Sequence, residues 1–174
     1  MKLTQFERLV LANQYQMLAK VDPQNAKYHE RRQAIVEQGY EVLYESEVFK
    51  GIDKDVVPME RGREVYDVLD MYRAITFAAE KLPKDSPLRE SYYLKFQGFD
   101  GNEETGSFAF AQFLLEDMGL YKELAGQGDD GVNSHSPMMP TYRRMLAVQK
   151  KLAQPHKPSE SDLAAILKAA ESSE

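Results

Sequence analysis

The run PMERGREVYDVLDMYRAITFAAEKL, residues 58–82, decides the class of fold. Val65, Val68, Leu69, Tyr72, Ile75, Ala79 and Leu82 recur every three or four residues. That spacing brings side chains onto one face of an α-helix. The pattern holds for about five turns, longer than an ordinary strand, with Gly62 and Pro83 bracketing it. A helix with such a seam needs apolar partners, and the rest of the chain supplies them as further helices.

Toward the N-terminus, Thr4 and Glu7 form a T-x-x-E capping box. The helix after it is expected to turn Phe6, Val10 and Met17 inward, with Leu11 and Leu18 beside them, and to end near Lys20. Asp22-Pro23 reads as an N-cap followed by proline at the first helical position, where a missing N–H costs nothing. That second helix runs to Gln38, and Gly39 is the residue suited to the left-handed turn that closes it. Residues 40–49 have room for a short helix, and GIDKD (51–55) is a loop.

Toward the C-terminus, KLPKDSP (81–87) is a turn and Ser86-Pro87 starts another short helix. SYYLKF (91–96) is strand-like but has no partner strand, so it is assigned to helix. GFDGN (98–102) is a break with Asp100 as N-cap, followed by a helix over 102–118 that Gly119 closes. GQGDDGVNSHS (126–136) is a long polar loop. Ser136-Pro137 opens a helix over about 137–153, PHKPS (155–159) is a linker, and Ser159 with Asp162 starts a last helix to about Ala170. Its apolar face is Leu163, Ile166, Leu167 and Ala170, and so short a helix is marginal unless it docks. The expected fold is therefore all-α. It is a single compact multihelical domain of about seven helices over residues 1–154, with 155–174 as a linker and short C-terminal docking helix.

Composition narrows the function. A chain of 174 residues buries enough surface to fold without a metal or a disulfide. It has no cysteine, which excludes disulfide frameworks, cysteine zinc sites, iron–sulfur clusters and thiol catalysis. No apolar run approaches the roughly 18 residues of a transmembrane helix. MKLTQFERLVLANQ carries Glu7 and Arg8 where a secretion signal would be apolar, so a cytoplasmic location is expected, with no membrane partner. The net charge of −6 argues against a protein that coats nucleic acid. The charge is also segregated. Residues 101–136 hold seven acids against Lys122, residues 137–158 hold five bases and no acid, and the tail from 159 is acidic again.

The motifs that carry chemistry elsewhere are incomplete here. Gly126-Gln127-Gly128-Asp129-Asp130-Gly131 matches G-x-G-x-x-G in letters, but no strand precedes it and two aspartates stand where an anion would bind. His29-Glu30-Arg31-Arg32-Gln33 begins like H-E-x-x-H, but Gln33 replaces the second zinc ligand, leaving a solvated face with His29 and Arg32 exposed. Asp129, Asp130, Asn133 and His135 form the best oxygen and nitrogen ligand cluster, which makes a metal-dependent hydrolase at the 126–136 loop one alternative. Their spacing matches no calcium loop, and acidic loops are usually only solvated. Carboxylate pairs such as Glu103/Glu104 are adjacent and point about 100° apart on a helix. No general acid and base stand out, and no cofactor is implied.

The helix over 137–153 is amphipathic. Arg143, Arg144, Lys150 and Lys151 fall within one arc, with Tyr142, Met145, Leu146, Val148 and Leu152 opposite. These four cations are the candidate anion or nucleic-acid site, and a nucleic-acid-associated regulator is the other alternative. The competing reading is pairing with the acidic region 101–136, with the tail or with another subunit. Asn13 sits on the seam of the first helix, either as a buried register-setting residue or at the edge of the stripe reaching water. With Gln14 and Tyr15 it forms a candidate polar interface.

RLVLANQYQM (8–17), VDPQNAKYHERRQAIVEQGY (21–40), DVLDMYRAI (67–75), GFD (98–100) and GVNSHSPMMPTYRRML (131–146) occur in an order that resembles the YfbU family of bacterial proteins. The resemblance spans about residues 5–150, and PHKPSESDLAAIL follows the family's C-terminal helix only loosely. It implies a compact multihelical cytoplasmic protein that tends to self-associate, and it brings no activity or catalytic residues with it. Asn13-Gln14-Tyr15 and Gly98-Phe99-Asp100 are its recurring blocks. The function expected is a non-enzymatic homo-oligomeric interaction or regulatory module, with a macromolecular partner as its target.

Overall fold

The computed structural model describes residues 2–128 and 130–171. Asp129 of the polar loop and Glu174 of the acidic tail lie outside the described residues. The fold is all-α. The described residues form six α-helices, α1 (Gln5–Val21), α2 (Ala26–Gln38), α3 (Met59–Ala79), α4 (Thr105–Gln112), α5 (Met139–Gln149) and α6 (Glu160–Glu171), with a π turn at Tyr44–Val48 between α2 and α3. A second π turn, Phe113–Asp117, continues α4. No strand forms among the described residues, where extended backbone meets only in two isolated bridges. The chain divides into two compact units, Met1–Val56 and Val57–Glu174, each with its own buried cluster.

The first unit is the α1–α2 hairpin with the π turn. The capping box forms as its residue types predict: Thr4 N–H donates to Glu7 Oε2 at 2.7 Å, and Glu7 N–H donates to Thr4 Oγ1 at 3.2 Å. α2 ends where Gly39 takes φ +71°, with the Gly39 N–H on the Ile35 carbonyl. Asp22 differs from expectation. Its carboxylate does not cap a backbone N–H but accepts from Asn25 Nδ2 at 2.9 Å and faces His29 Nε2 at 3.3 Å. The turn is closed instead by its carbonyl, which accepts from Asn25 N–H. Ala12, Tyr15, Ile35, Val36, Tyr44 and Val48 make the small core, with Leu3, Leu11 and Phe49 at its margin.

In the second unit α3 is the central rod. Val65, Val68, Leu69, Tyr72 and Ile75 are buried as the seam predicts, together with Met71 and Ala74. α3 meets α4, α5 and α6, and α5 packs along α6. Ser159 and Asp162 form a second capping box, and Leu163, Ile166, Leu167 and Ala170 enter the core. The last helix therefore docks on its own chain. Tyr121 pins the segment after α4 to α3, its hydroxyl donating to Asp70 at 2.8 Å while Arg73 lies over its ring and pairs with Glu123.

Residues 91–96 are not a helix but one 3-10 turn, Tyr92–Leu94, followed by extended chain. The reason is local. Gln97 Nε2 donates to the carbonyls of Tyr92 and Lys95, which a helix would have used, and Gly98 at φ +88° turns the chain. Phe96 and Phe99 then join Tyr72 and Tyr142 in an aromatic cluster at the centre of the unit. α4 begins at Thr105 rather than 102, because Asp100 Oδ1 first holds the N–H groups of Asn102 and Glu103 in a turn. α5 begins at Met139 with Pro140 in its first turn, two residues past Pro137, because the Met139 N–H is held by Glu104.

Candidate interaction face on the first helix

α1 carries apolar residues on two opposite arcs. At 100° per residue, Leu11, Ala12, Tyr15 and Ala19 fall on one side and Phe6, Leu9, Val10, Met17 and Val21 on the other, with Asn13 in the middle of the second set. α2 packs on the first arc, where Ala12 and Ala19 let two helix backbones approach. The second arc faces out. Phe6 is 73% exposed, Leu9 58%, Met17 59% and Val21 75%. This corrects the expectation that Phe6, Val10 and Met17 point inward with Leu18. A helix apolar all round sends its periodicity two ways, and α2 takes only one side of it.

Asn13 and Gln14 are exposed, whereas Tyr15 belongs to the core with Val36. The block Asn13-Gln14-Tyr15 therefore straddles the helix: one residue anchors the hairpin and two look outward. Burial pushes the Tyr15 phenol up from its ordinary pKa, so it stays neutral. Beside the outward arc lies a groove of about 480 Å³ whose lining includes Phe6, Leu9, Ala12, Asn13, Val36 and Glu37. Arg8 frames it, its guanidinium donating to the Glu37 carbonyl at 3.2 Å at the carboxyl end of α2.

The four cations of α5 fall differently from one another. Arg143 grips Glu64 of α3 with two bonds of 2.9 and 3.0 Å, and Lys150 reaches Asp67 at 2.6 Å. Arg144 donates to the carbonyls of Ala169 and Ala170, so it caps the end of α6. Lys151 stands exposed. Three of the four are engaged within the chain, with partners on α3 and α6 rather than in the acidic region 101–136. No local spacing announces these pairs, which join residues 79 and 83 positions apart.

In the 126–136 loop, Asp130 Oδ2 and His135 Nε2 pair at 2.8 Å, and Asn133 Oδ1 accepts from Gly101 and His135 N–H groups. Among the described residues no group of three His, Cys, Asp or Glu side chains gathers around one point. Gln127 fixes the glycine run, accepting from Phe96 N–H and donating to Glu123 O and Thr76 Oγ1. His29 is half-buried against Asp22, and Arg32 lies 3.9 Å from the Tyr28 ring centre, so neither lies on a solvated face as expected.

The block 98–100 interlocks with the stretch 131–146. Phe99 N–H donates to Val132 O, Ser134 N–H donates to Phe99 O, and the Tyr142 hydroxyl donates to Gly98 O at 2.8 Å. Burial raises the Tyr142 phenol far above its usual range, so it keeps the proton that it donates to Gly98. Glu104 completes the clasp. It is buried, and its two oxygens accept from Met139 N–H at 2.6 Å and Asp100 N–H at 3.0 Å. Sequence reasoning treats Glu104 as half of an adjacent carboxylate pair and misses this role.

The family model described as YfbU domain matches residues 1–169 of the chain. A UPF0304 protein of Methanocaldococcus jannaschii is 36% identical over 147 residues, covering 83% of this chain and 85% of that protein.

Proposed function

The chain belongs to the YfbU family, and from that premise we propose that it acts as a non-enzymatic, self-associating interaction module of the cytoplasm, joined through the outward arc of α1. The observation that carries this reading is the exposure of Phe6, Leu9, Met17 and Val21 along one line of a capped helix. Each of the four is more than half exposed, and a contiguous exposed apolar patch is the kind of surface that marks a contact site.

Several polar groups that the sequence offers for chemistry are engaged in holding the fold. Glu104 clasps two backbone N–H groups, Arg143 and Lys150 neutralise α3, and Arg144 caps α6. No helix among the described residues is long and apolar enough to cross a membrane. Light scattering at micromolar concentration tests the proposal. The expected mass is a multiple of the 19.9 kDa protomer. Replacing Leu9 and Met17 together by Glu shifts it to one protomer with the helical circular-dichroism signal unchanged. A wild-type protein of one protomer mass overturns the proposal.

A further inference from the structure

We infer that α1 pairs with α1 of a second copy, antiparallel, across a two-fold axis beside Asn13. This deepens the self-association reading and rests on it. Along the outward arc Phe6 lies seven residues before Asn13 and Val21 eight after it, while Leu9 and Val10 precede it by four and three and Met17 follows by four. The face therefore reads nearly the same in both directions, which is what an isologous contact demands.

Reversing one helix sets Phe6 at the level of the other copy's Val21, Val10 at the level of Met17, and Asn13 beside its own counterpart. A parallel pair would stack two phenylalanine rings in one layer and two valines in another, an uneven filling for a close-packed seam. It would also gather both Lys20 ammonium groups at one end. The antiparallel pair separates them and puts each at the level of the other copy's Glu7. Antiparallel axes also bring the positive end of each helix dipole beside the negative end of the other.

Two features select a second copy as the occupant. Leu9–Ala19 contains no charged residue, in a chain that carries −6, so two copies meet there without repulsion. Asn13, the polar group at the centre of the arc, has a carboxamide that both donates and accepts, so its own counterpart satisfies it. A strongly acidic or basic partner would find no charge to pair with between Leu9 and Ala19.

The chain has no cysteine, so each introduced thiol reports alone. Under mild oxidation of the full-length protein, Asn13→Cys gives a disulfide-linked dimer. Phe6→Cys alone does not, because its two copies lie roughly 20 Å apart along the axis, beyond the ~7 Å between α-carbons that a disulfide spans. The double variant Phe6→Cys/Val21→Cys links again, since each thiol meets the other kind. Self-linking of Phe6→Cys overturns the antiparallel arrangement. Failure of Asn13→Cys to link while light scattering still finds an oligomer also overturns it and leaves self-association standing. A wild-type protein of one protomer mass overturns both.

Discussion

Gly98 holds its backbone at φ +88° against Val132, and a β-carbon there would sit 1.9 Å from the Val132 carbonyl oxygen. No side-chain motion relieves a clash with backbone. Gly98→Ala must either pull residues 98–99 away from 132–134 or force the chain out of the left-handed region. Its expected cost is at least about 3 kcal/mol, because strain and lost ladder bonds act together. Gly126 is the internal control: its φ is +71°, but a β-carbon there meets nothing within 4 Å. Gly126→Ala is expected to cost only about 1 kcal/mol, the conformational part alone. Urea unfolding of the two variants separates the effects, and equal midpoints would contradict the clasp. At this scale the sequence reveals that Gly98-Phe99-Asp100 is a turn, yet not what it turns against. Val132 lies 34 positions away, and no local pattern connects Glu104 to the N–H of Met139.

Elements were legible where their chemistry is local. The two capping boxes, the left-handed Gly39 and the α3 seam all follow from neighbours within four residues. The face of α1 was not legible, because two apolar arcs give one helix two consistent answers and only α2 chooses between them. The capping boxes also make the helix starts acid-labile. Hydrogen bonds from the Thr4 backbone and then its hydroxyl hold Glu7 below its ordinary pKa, and those from the Ser159 hydroxyl and then its backbone do the same for Asp162. A carboxyl depressed in the folded state contributes stability above its unfolded pKa and loses it as pH falls through the folded value. Thermal melts of wild type and Asp162→Asn should therefore differ at neutral pH. The gap should close as pH drops below the ordinary carboxylate range. A gap that persists in strong acid would place the effect elsewhere than in the cap.

For the whole chain, the two buried clusters differ greatly in depth. The second unit gathers Val65, Leu69, Tyr72, Phe96, Tyr142 and Ile166 among many others, whereas the first rests on six buried residues. A unit of about 60 residues buries only about 60% of its unfolded surface and is marginal by itself. The outward arc of α1 would relieve that, since covering it on association adds apolar burial that the hairpin lacks alone. The segment 51–60 that leads from one unit to the other is exposed throughout, and its loop character was readable in GIDKD. The apolar face of α6 announced that it docks past the proline-rich linker, but not that its own chain receives it, in the core beside α5. Cutting the chain in that exposed segment separates these contributions. Residues 57–174 are expected to melt cooperatively on their own, with a midpoint independent of concentration. Residues 1–56 are expected to lose helical signal on dilution, because their folding is linked to pairing. Circular dichroism of both fragments over a hundredfold range of concentration decides it. Stable, concentration-independent helicity in 1–56 would mean that six buried residues suffice and that α1 needs no partner to hold its hairpin.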